Sequence, residues 1–206
     1  MTVSAILLAA GQSRRMGAFK PLLPFGARTV IETCVDNLRA AGVQQIVVVV
    51  GHRGPEVRAA LAHLPLRFAV NEAAGSEMSV SIARGVEQLP AEARAVLVAL
   101  ADQPAITPEI IGRVLAERDA RLVVPEYEGR GGHPVLVDLA YRDELLKLDA
   151  ERGLRALFDR HRAELRRVPV ISPYVRRDMD TWADYCALHE EIFHAPPPDE
   201  RPARSG

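Results

Sequence analysis

Gln45-Ile46-Val47-Val48-Val49-Val50 decides the fold class, because five consecutive β-branched residues leave a strand with no polar face to give to water. A strand buried on both sides belongs to a parallel sheet covered by helices. Outward from it, short apolar runs alternate with helix-period segments. Strands are predicted at residues 3–8, 45–50, 67–70 and 95–100, and helices at 29–41, 55–62 and 78–89. This β-α-β-α-β-α-β rhythm requires crossover connections, so the chain is expected to be an α/β protein with a Rossmann-like, mostly parallel sheet flanked by helices.

Beyond Leu100 the rhythm loosens. A helix at 108–117 and a strand at 121–124 precede Glu126-Tyr127-Glu128-Gly129-Arg130-Gly131-Gly132, whose turn composition sends the chain into a strand at 133–137 lying back beside its predecessor. An antiparallel addition in the second half is therefore expected. Further helices are predicted at 141–148, 153–161 and 181–193, with a strand near 165–170. Residues 1–194 read as a single domain, since 206 residues suit one core. Residues 195–206, with Pro196-Pro197-Pro198, have almost nothing to bury and are expected to form a disordered tail.

Apolar residues make up 48% and charged residues 26% of the chain, a globular composition that excludes disorder as the dominant state. With 26 Lys+Arg against 27 Asp+Glu there is no general attraction to polyanions, so neither nucleic acid nor an anionic membrane is an expected partner. Cys34 and Cys186 lie outside any CxxC or Cys/His cluster, which suits a reducing, cytoplasmic location. The apolar run at 3–10 is too short to span a bilayer and lacks a basic segment ahead of it, so it reads as a buried strand.

That first strand leads into Leu8-Ala9-Ala10-Gly11-Gln12-Ser13-Arg14-Arg15-Met16-Gly17-Ala18-Phe19-Lys20. In an open α/β sheet the carboxyl ends of the strands face the ligand crevice. Small residues at Ala9, Ala10 and Gly11 let the backbone approach a ligand, Gly11 and Gly17 permit turns, and free N–H groups there can bond phosphate oxygens. Arg15 and Lys20 add the charge needed to face a nucleoside triphosphate, which carries about four negative charges. Lys20 stands out because only Lys20 and Lys147 among the basic residues are lysine. A solvated basic loop is the competing reading, and Arg14 is assigned to it. The loop is neither a GxxxxGK[ST] nor a GxGxxG element.

Asp102, in Ala99-Leu100-Ala101-Asp102-Gln103-Pro104, falls at the same carboxyl edge, where a carboxylate suits Mg²⁺. An Asx turn or a helix N-cap is equally compatible with its position. Asp178-Met179-Asp180-Thr181 lies just before the last helix, where N-capping is the simpler reading. Asn71-Glu72-Ala73-Ala74-Gly75-Ser76-Glu77-Met78-Ser79-Val80-Ser81 follows the third strand, from which the Asn71 amide and the hydroxyls can reach a base or ribose, or start the next helix. His52, His63, His161, His189 and His194 show no metal spacing and are read as surface residues.

The loop LAAGxSxRMGxxK resembles, at all thirteen positions, the opening motif of the nucleotidyltransferases of glycosyltransferase-A-like fold, and within them the molybdenum cofactor transferases. The resemblance runs from residue 5 to about 188. It implies that Leu8, Ala9, Ala10, Gly11 and Ser13 wrap the triphosphate of an incoming nucleotide, with Arg15 and Lys20 on its phosphates. Asp102 matches the family's LxDxP Asp, which binds metal. Asp180 matches the central Asp of a D-[IV]-D-T-P-E-D-L segment that completes the metal site, with Asp178 in support, although Trp182 and Ala183 replace the Pro and Glu. Asn71, Ser76, Ser79 and Ser81 match an N-x(4)-G-x-G-M-S-x-S nucleotide-binding segment in which Glu77 replaces Gly. Gly132, His133 and Pro134 match the GHP motif of the cytidylyl branch, associated with the acceptor.

The activity implied is Mg²⁺-dependent transfer of CMP from CTP to the terminal phosphate of molybdopterin, with Arg15, Lys20 and Asp102 catalytic and pyrophosphate released. Transient contact with a recipient molybdoenzyme or its chaperone goes with it. The guanylyl branch usually has Gly in place of Ala10 and lacks the GHP segment. Transferases acting on sugar or polyol phosphates, and a non-catalytic cofactor carrier, are the remaining readings. Retention of both the phosphate cations and the metal carboxylates argues against the carrier.

Overall fold

A computed structural model describes residues 2–13, 15–51, 53–73 and 77–198. Among the described residues the strands are β1 (Val3–Ala9), β2 (Pro24–Phe25), β3 (Arg28–Thr29), β4 (Gln45–Val50), β5 (Arg67–Val70), β6 (Ala95–Leu100), β7 (Leu122–Tyr127), β8 (Arg130–Gly131), β9 (Val135–Asp138) and β10 (Leu165–Pro169). The α-helices are α1 (Val30–Ala40), α2 (Gly54–Ala60), α3 (Met78–Glu87), α4 (Pro108–Ala116), α5 (Arg142–Leu146), α6 (Leu154–Arg160) and α7 (Trp182–Phe193).

The main sheet runs β10-β7-β9-β6-β1-β4-β5, with β8 beside β7. Strands β1, β4, β5 and β6 are mutually parallel, whereas β9 is antiparallel to both β6 and β7. The expected antiparallel addition is thus a strand inserted between two parallel ones, a position that local patterning does not encode. The order reverses beside β1, with β4 on one side and β6 on the other, and ligands of open α/β sheets bind at such switch points.

Ile46, Val47, Val48, Val49 and Val50 are each 2% exposed or less. Successive side chains alternate faces, so Ile46, Val48 and Val50 pack with Ala5, Leu7 and Leu97 under Ile31 and Leu38 of α1 and Ile111 of α4. Val47 and Val49 pack with Ile6, Val96 and Val98 under Ile82 and Val86 of α3. Full burial of one such side chain contributes about 1.5–3 kcal/mol. The parallel strands are thereby covered on both sides, as their composition requires. Among the described residues, no helix is long and apolar enough to cross a membrane.

A third apolar cluster holds the loop after β1. Met16, Leu23, Phe25 and Val30 pack against Ala105, Met179, and Tyr185 and Leu188 of α7. The Tyr185 hydroxyl donates to the Pro24 carbonyl at 2.6 Å. The small β2–β3 hairpin in this region was not anticipated from sequence.

One expectation is corrected at the C-terminus. His189 is not a surface residue: it is 5% exposed, its Nδ1–H donates to the Ala195 carbonyl at 2.8 Å, and the rings of Phe25, Tyr185 and Phe193 surround it. Of the expected tail, the first residues are described: Ala195 accepts this bond and Pro197 is buried, while residues 199–206 lie outside the described residues. Truncation after His194 is expected to lower Tm by several degrees, because a buried donor left without its partner costs about 1–3 kcal/mol. Truncation after Pro198 should leave Tm within a degree of the parent. Thermal unfolding of both truncations, followed by circular dichroism, checks this.

Candidate functional site

The carboxyl ends of β1 and β6 meet in register, Leu8 opposite Leu100, and the Ala101 N–H donates to the Leu8 carbonyl at 3.1 Å. Here a cleft of about 460 Å³ opens, within the range of small-molecule sites. Leu8, Ala9, Ala10, Gly11, Gln12 and Ser13 form one wall, with Lys20 and Pro21 at its end. Asn71, Ala73, Met78 and Ser81 form another, and Leu100, Ala101, Asp102 and Asp178 close the site. Gly51 seats the first wall against β4, since a Cβ there would stand 2.6 Å from the Ala10 carbonyl oxygen.

The loop curls back on itself through Ser13. Its backbone is left-handed (φ 51°), its carbonyl accepts from the Met16 N–H at 3.1 Å, and its hydroxyl accepts from the Lys20 N–H at 3.1 Å. A non-glycine residue in this region costs roughly 1–2 kcal/mol, which the surrounding contacts must offset. Gly17 also has positive φ, so its turn requirement is met as expected. Gly11 differs: its φ is not positive, and an added Cβ would meet no protein atom, so the space it leaves belongs to the cleft.

Lys20 is 9% exposed, and its ammonium lies 3.2 Å from Asp102 Oδ2 and 2.8 Å from Asp180 Oδ1. Arg15 sits at the rim, its side chain 73% exposed, and holds the other oxygen of Asp180 at 2.8 Å. Burial pushes the Asp102 carboxyl above the usual carboxylate range, opposed by Lys20 and aided by nearby Asp178. Asp180 is shifted the other way, held below that range by the Lys20 hydrogen bond and by Arg15.

The helix-cap alternative for these carboxylates is decided by the caps themselves. The residue that caps α4 is Thr107, not Asp102. At α7 the capping box is made by Thr181 and Asp184, which leaves Asp180 free to face Lys20. Between the two aspartates, Met179 is 1% exposed in the third cluster and anchors the segment. Asp178 accepts from the Gln103 amide at 2.8 Å, so Asp178 stands at the cleft wall while Asp180 sits behind Lys20.

The oxygens of Asp102 and Asp180 converge on a single point, and hard anionic oxygens are the donors Mg²⁺ prefers. Among the described residues, no group of three or more His, Cys, Asp or Glu is arranged to hold a metal ion. That is compatible with an ion that takes one or two protein carboxylates and fills its remaining positions from water and phosphate. The donor set therefore fits a divalent cation.

On the opposite wall, Asn71 is 6% exposed, donates to the Ser81 hydroxyl at 2.9 Å and accepts from the Ala73 N–H at 3.1 Å. Ser81 faces the cleft. Ser79 is buried in the first turn of α3 and does not line the cleft, and the residue at the cap is Glu77, with no capping side-chain bond. Glu77 has φ −64°, so its backbone needs no glycine. Ser76, with Arg14 and His52, lies outside the described residues.

Gly132, His133 and Pro134 do not line the cleft. The His133 Nδ1–H donates to the Val98 carbonyl at 3.3 Å, and burial lowers the imidazole's pKa, opposed by that hydrogen bond and by Asp178. Gly132 is needed for packing, because a Cβ there would meet the Val175 carbonyl oxygen at 2.0 Å. Gln12, Pro21, Ala73, Met78 and Leu100 line the cleft without having been singled out from sequence. Their neighbours in the motifs were the available signal.

Comparison with known proteins shows the family. A family model described as MobA-like NTP transferase domain matches residues 5–165. Three relatives frame the family. The nicotine blue oxidoreductase of Paenarthrobacter nicotinovorans is 32% identical over 68% of this chain and 72% of its own. A probable molybdenum cofactor guanylyltransferase of Mycobacterium avium is 31% identical over 91% and 95%. The molybdenum cofactor cytidylyltransferase of Escherichia coli K12 is 27% identical over 66% and 69%. A nucleotidyl transferase from Methanothermobacter superposes with a TM-score of 0.83 at 27% identity, covering 94% of this chain and 98% of its own. A Mycobacterium tuberculosis protein crystallised with manganese superposes at 0.77 and 29% identity, covering 92% and 99%. With the family model matching well over half of its length, this chain belongs to the MobA-like NTP transferase family.

Proposed function

We propose that the protein transfers CMP from CTP to the terminal phosphate of molybdopterin, releasing pyrophosphate. The observation that carries this reading is one cleft lined by the loop from Leu8 to Ser13, Lys20 and Asp102, with Asp180 joined to it through its ion pair with Lys20. An acceptor phosphate oxygen attacks the α-phosphorus in line, the new O–P bond forms, and the bond to the β-phosphate bridging oxygen breaks. Lys20 and Arg15 stabilise the charge that builds on the departing pyrophosphate. Backbone N–H groups of the Gly loop orient the phosphates, and Asn71, Ser81 and Met78, on the opposite wall of the cleft, take the base and ribose. Asp102 and Asp180 are the residues to hold Mg²⁺, which supplies Lewis-acid charge to the phosphates when bound.

Ala10, which lines the cleft, supports cytosine over guanine, because glycine in its place would leave more room for a purine. CTP is expected to exceed GTP and ATP by at least about tenfold in kcat/KM, a difference of ~1.4 kcal/mol. The test is incubation with each nucleoside triphosphate, Mg²⁺ and molybdopterin, following pyrophosphate and the mass of the product. Equal or better turnover with GTP reassigns the base and supports the guanylyl reading that the Mycobacterium relative favours.

The oxidoreductase relative motivates a second reading, reduction of a conjugated heterocycle by a nicotinamide nucleotide. The acidic pair beside Lys20 weighs against it, since hydride transfer needs no paired carboxylates. Absence of pyrophosphate with every triphosphate, together with oxidation of NADH or NADPH in the presence of a quinonoid dye, overturns the transferase proposal.

A further inference from the structure

We propose that Lys20 is the resident cation of the carboxylate pair, so that a divalent ion reaches Asp102 and Asp180 only when a polyphosphate draws the lysine away. This deepens the nucleotidyl-transfer reading above and rests on it. The Lys20 ammonium lies within hydrogen-bond distance of one oxygen from each aspartate, 3.2 and 2.8 Å, and its side chain is only 11% exposed. A Mg²⁺ ion binds carboxylate oxygens at about 2.0–2.1 Å, so an ion shared by these same two oxygens would occupy the space the ammonium fills. Two cations cannot share it, by volume or by charge.

The surrounding contacts suit an exchange. The Lys20 backbone is fixed by its N–H bond to the Ser13 hydroxyl, while four rotatable carbons carry the ammonium. Arg15 grips Oδ2 of Asp180, whereas Lys20 takes Oδ1. When Lys20 leaves, Asp180 therefore keeps its orientation and Oδ1 is released toward the freed Oδ2 of Asp102. A triphosphate, with about four negative charges along the adjacent Gly loop, gives the lysine a competing partner. Polyphosphate and divalent cation then bind with positive coupling, each raising the affinity of the other. The lysine also prevents the empty cleft from holding an unshielded pair of carboxylates.

Mn²⁺ is the probe, titrated into nucleotide-free protein at pH 8 with free ion followed by electron paramagnetic resonance. K20Q and K20M are expected to bind Mn²⁺ at least tenfold more tightly than the parent, and adding D102N to K20Q should remove the gain. Variants folded by circular dichroism that bind Mn²⁺ no more tightly than the parent overturn the proposal. A second measurement needs no substitution. Lys20 and Lys147 are the chain's two lysines, so the Nζ signal of Lys20 is resolvable in ¹⁵N-lysine-labelled parent protein. Millimolar Mg²⁺ alone should leave that signal in place, and Mg²⁺ with pyrophosphate should move it; displacement by Mg²⁺ alone overturns the proposal. Pyrophosphate release from CTP is assayed separately. Tighter Mn²⁺ binding by K20Q alongside a parent inactive with every triphosphate sinks the transferase reading and keeps the cation competition, and the converse pattern does the reverse.

Discussion

Asp102→Asn is expected to reduce kcat on the order of 100-fold or more, about 2.7 kcal/mol of transition-state stabilisation, while Tm stays within a few degrees of the parent. The exchange keeps size and hydrogen-bonding capacity but removes an anionic oxygen, and a neutral amide is a weaker partner for a hard dication. Stability should be insensitive because the residue capping α4 is Thr107, and because burial already disfavours the charged form of Asp102. Asp180→Asn should follow with an equal or smaller loss, since Arg15 and Lys20 remain and Thr181 with Asp184 still caps α7. Combined, the two losses should be less than additive, because either substitution spoils the shared ion. Steady-state pyrophosphate release and thermal melts on the two single variants and the double variant measure all of this. Near-parent turnover of both single variants at low Mg²⁺ would show that the carboxylates are structural.

Gly132→Ala is expected to have the opposite signature, a large loss of stability. The added Cβ would stand 2.0 Å from the Val175 carbonyl oxygen and 2.6 Å from its carbon, both backbone atoms. The neighbouring bonds resist any shift, because the Gly132 N–H donates to the Pro125 carbonyl at 2.9 Å and the His133 N–H donates to the same Val175 carbonyl at 2.8 Å. Overpacking against backbone costs about 3 kcal/mol, which lowers Tm by roughly 6–12 °C at this chain length. Any loss of kcat in the folded fraction should be small, since Gly132 does not line the cleft. A variant with normal Tm and impaired KM for the acceptor would instead return Gly132 to the acceptor site that its motif implies.

Much of this protein is legible without coordinates. The buried strands announce themselves through Ile46–Val50 and the apolar runs at 3–8 and 95–100, because burial on both faces removes polar residues from consecutive positions. The two cations of the loop, Arg15 and Lys20, were recognisable because a Gly-rich turn at a strand's carboxyl end is a local pattern. Asp102 was identifiable by the same logic of position. The sequence was less decisive where one residue type serves two purposes. Asp180 before Thr181 reads as a cap until the Thr181–Asp184 box takes that role. Ser79 reads as a ligand or a cap and proves to be a buried residue of the first turn. His189 reads as solvated until the aromatic rings around it and the Ala195 carbonyl are seen.

What the sequence alone determined is therefore the main strands and helices and the Gly-rich loop with its charged residues, though not the small β2–β3 hairpin, since propensity, periodicity and turn chemistry act over a few residues. What only the tertiary structure decided is which charges meet. Lys20 is 82 residues from Asp102 and 160 from Asp180, and no local signal spans such distances. They converge because the order of β1 and β6 brings two carboxyl ends together, and because α7, by burying Met179, Tyr185 and Leu188 on the loop after β1, draws the 178–180 segment back to the cleft. The insertion of β9 between β6 and β7 belongs to the same category. Pairing between strands far apart in the chain is settled by which arrangement buries both faces of the sheet, a property of the assembled core and not of any segment within it.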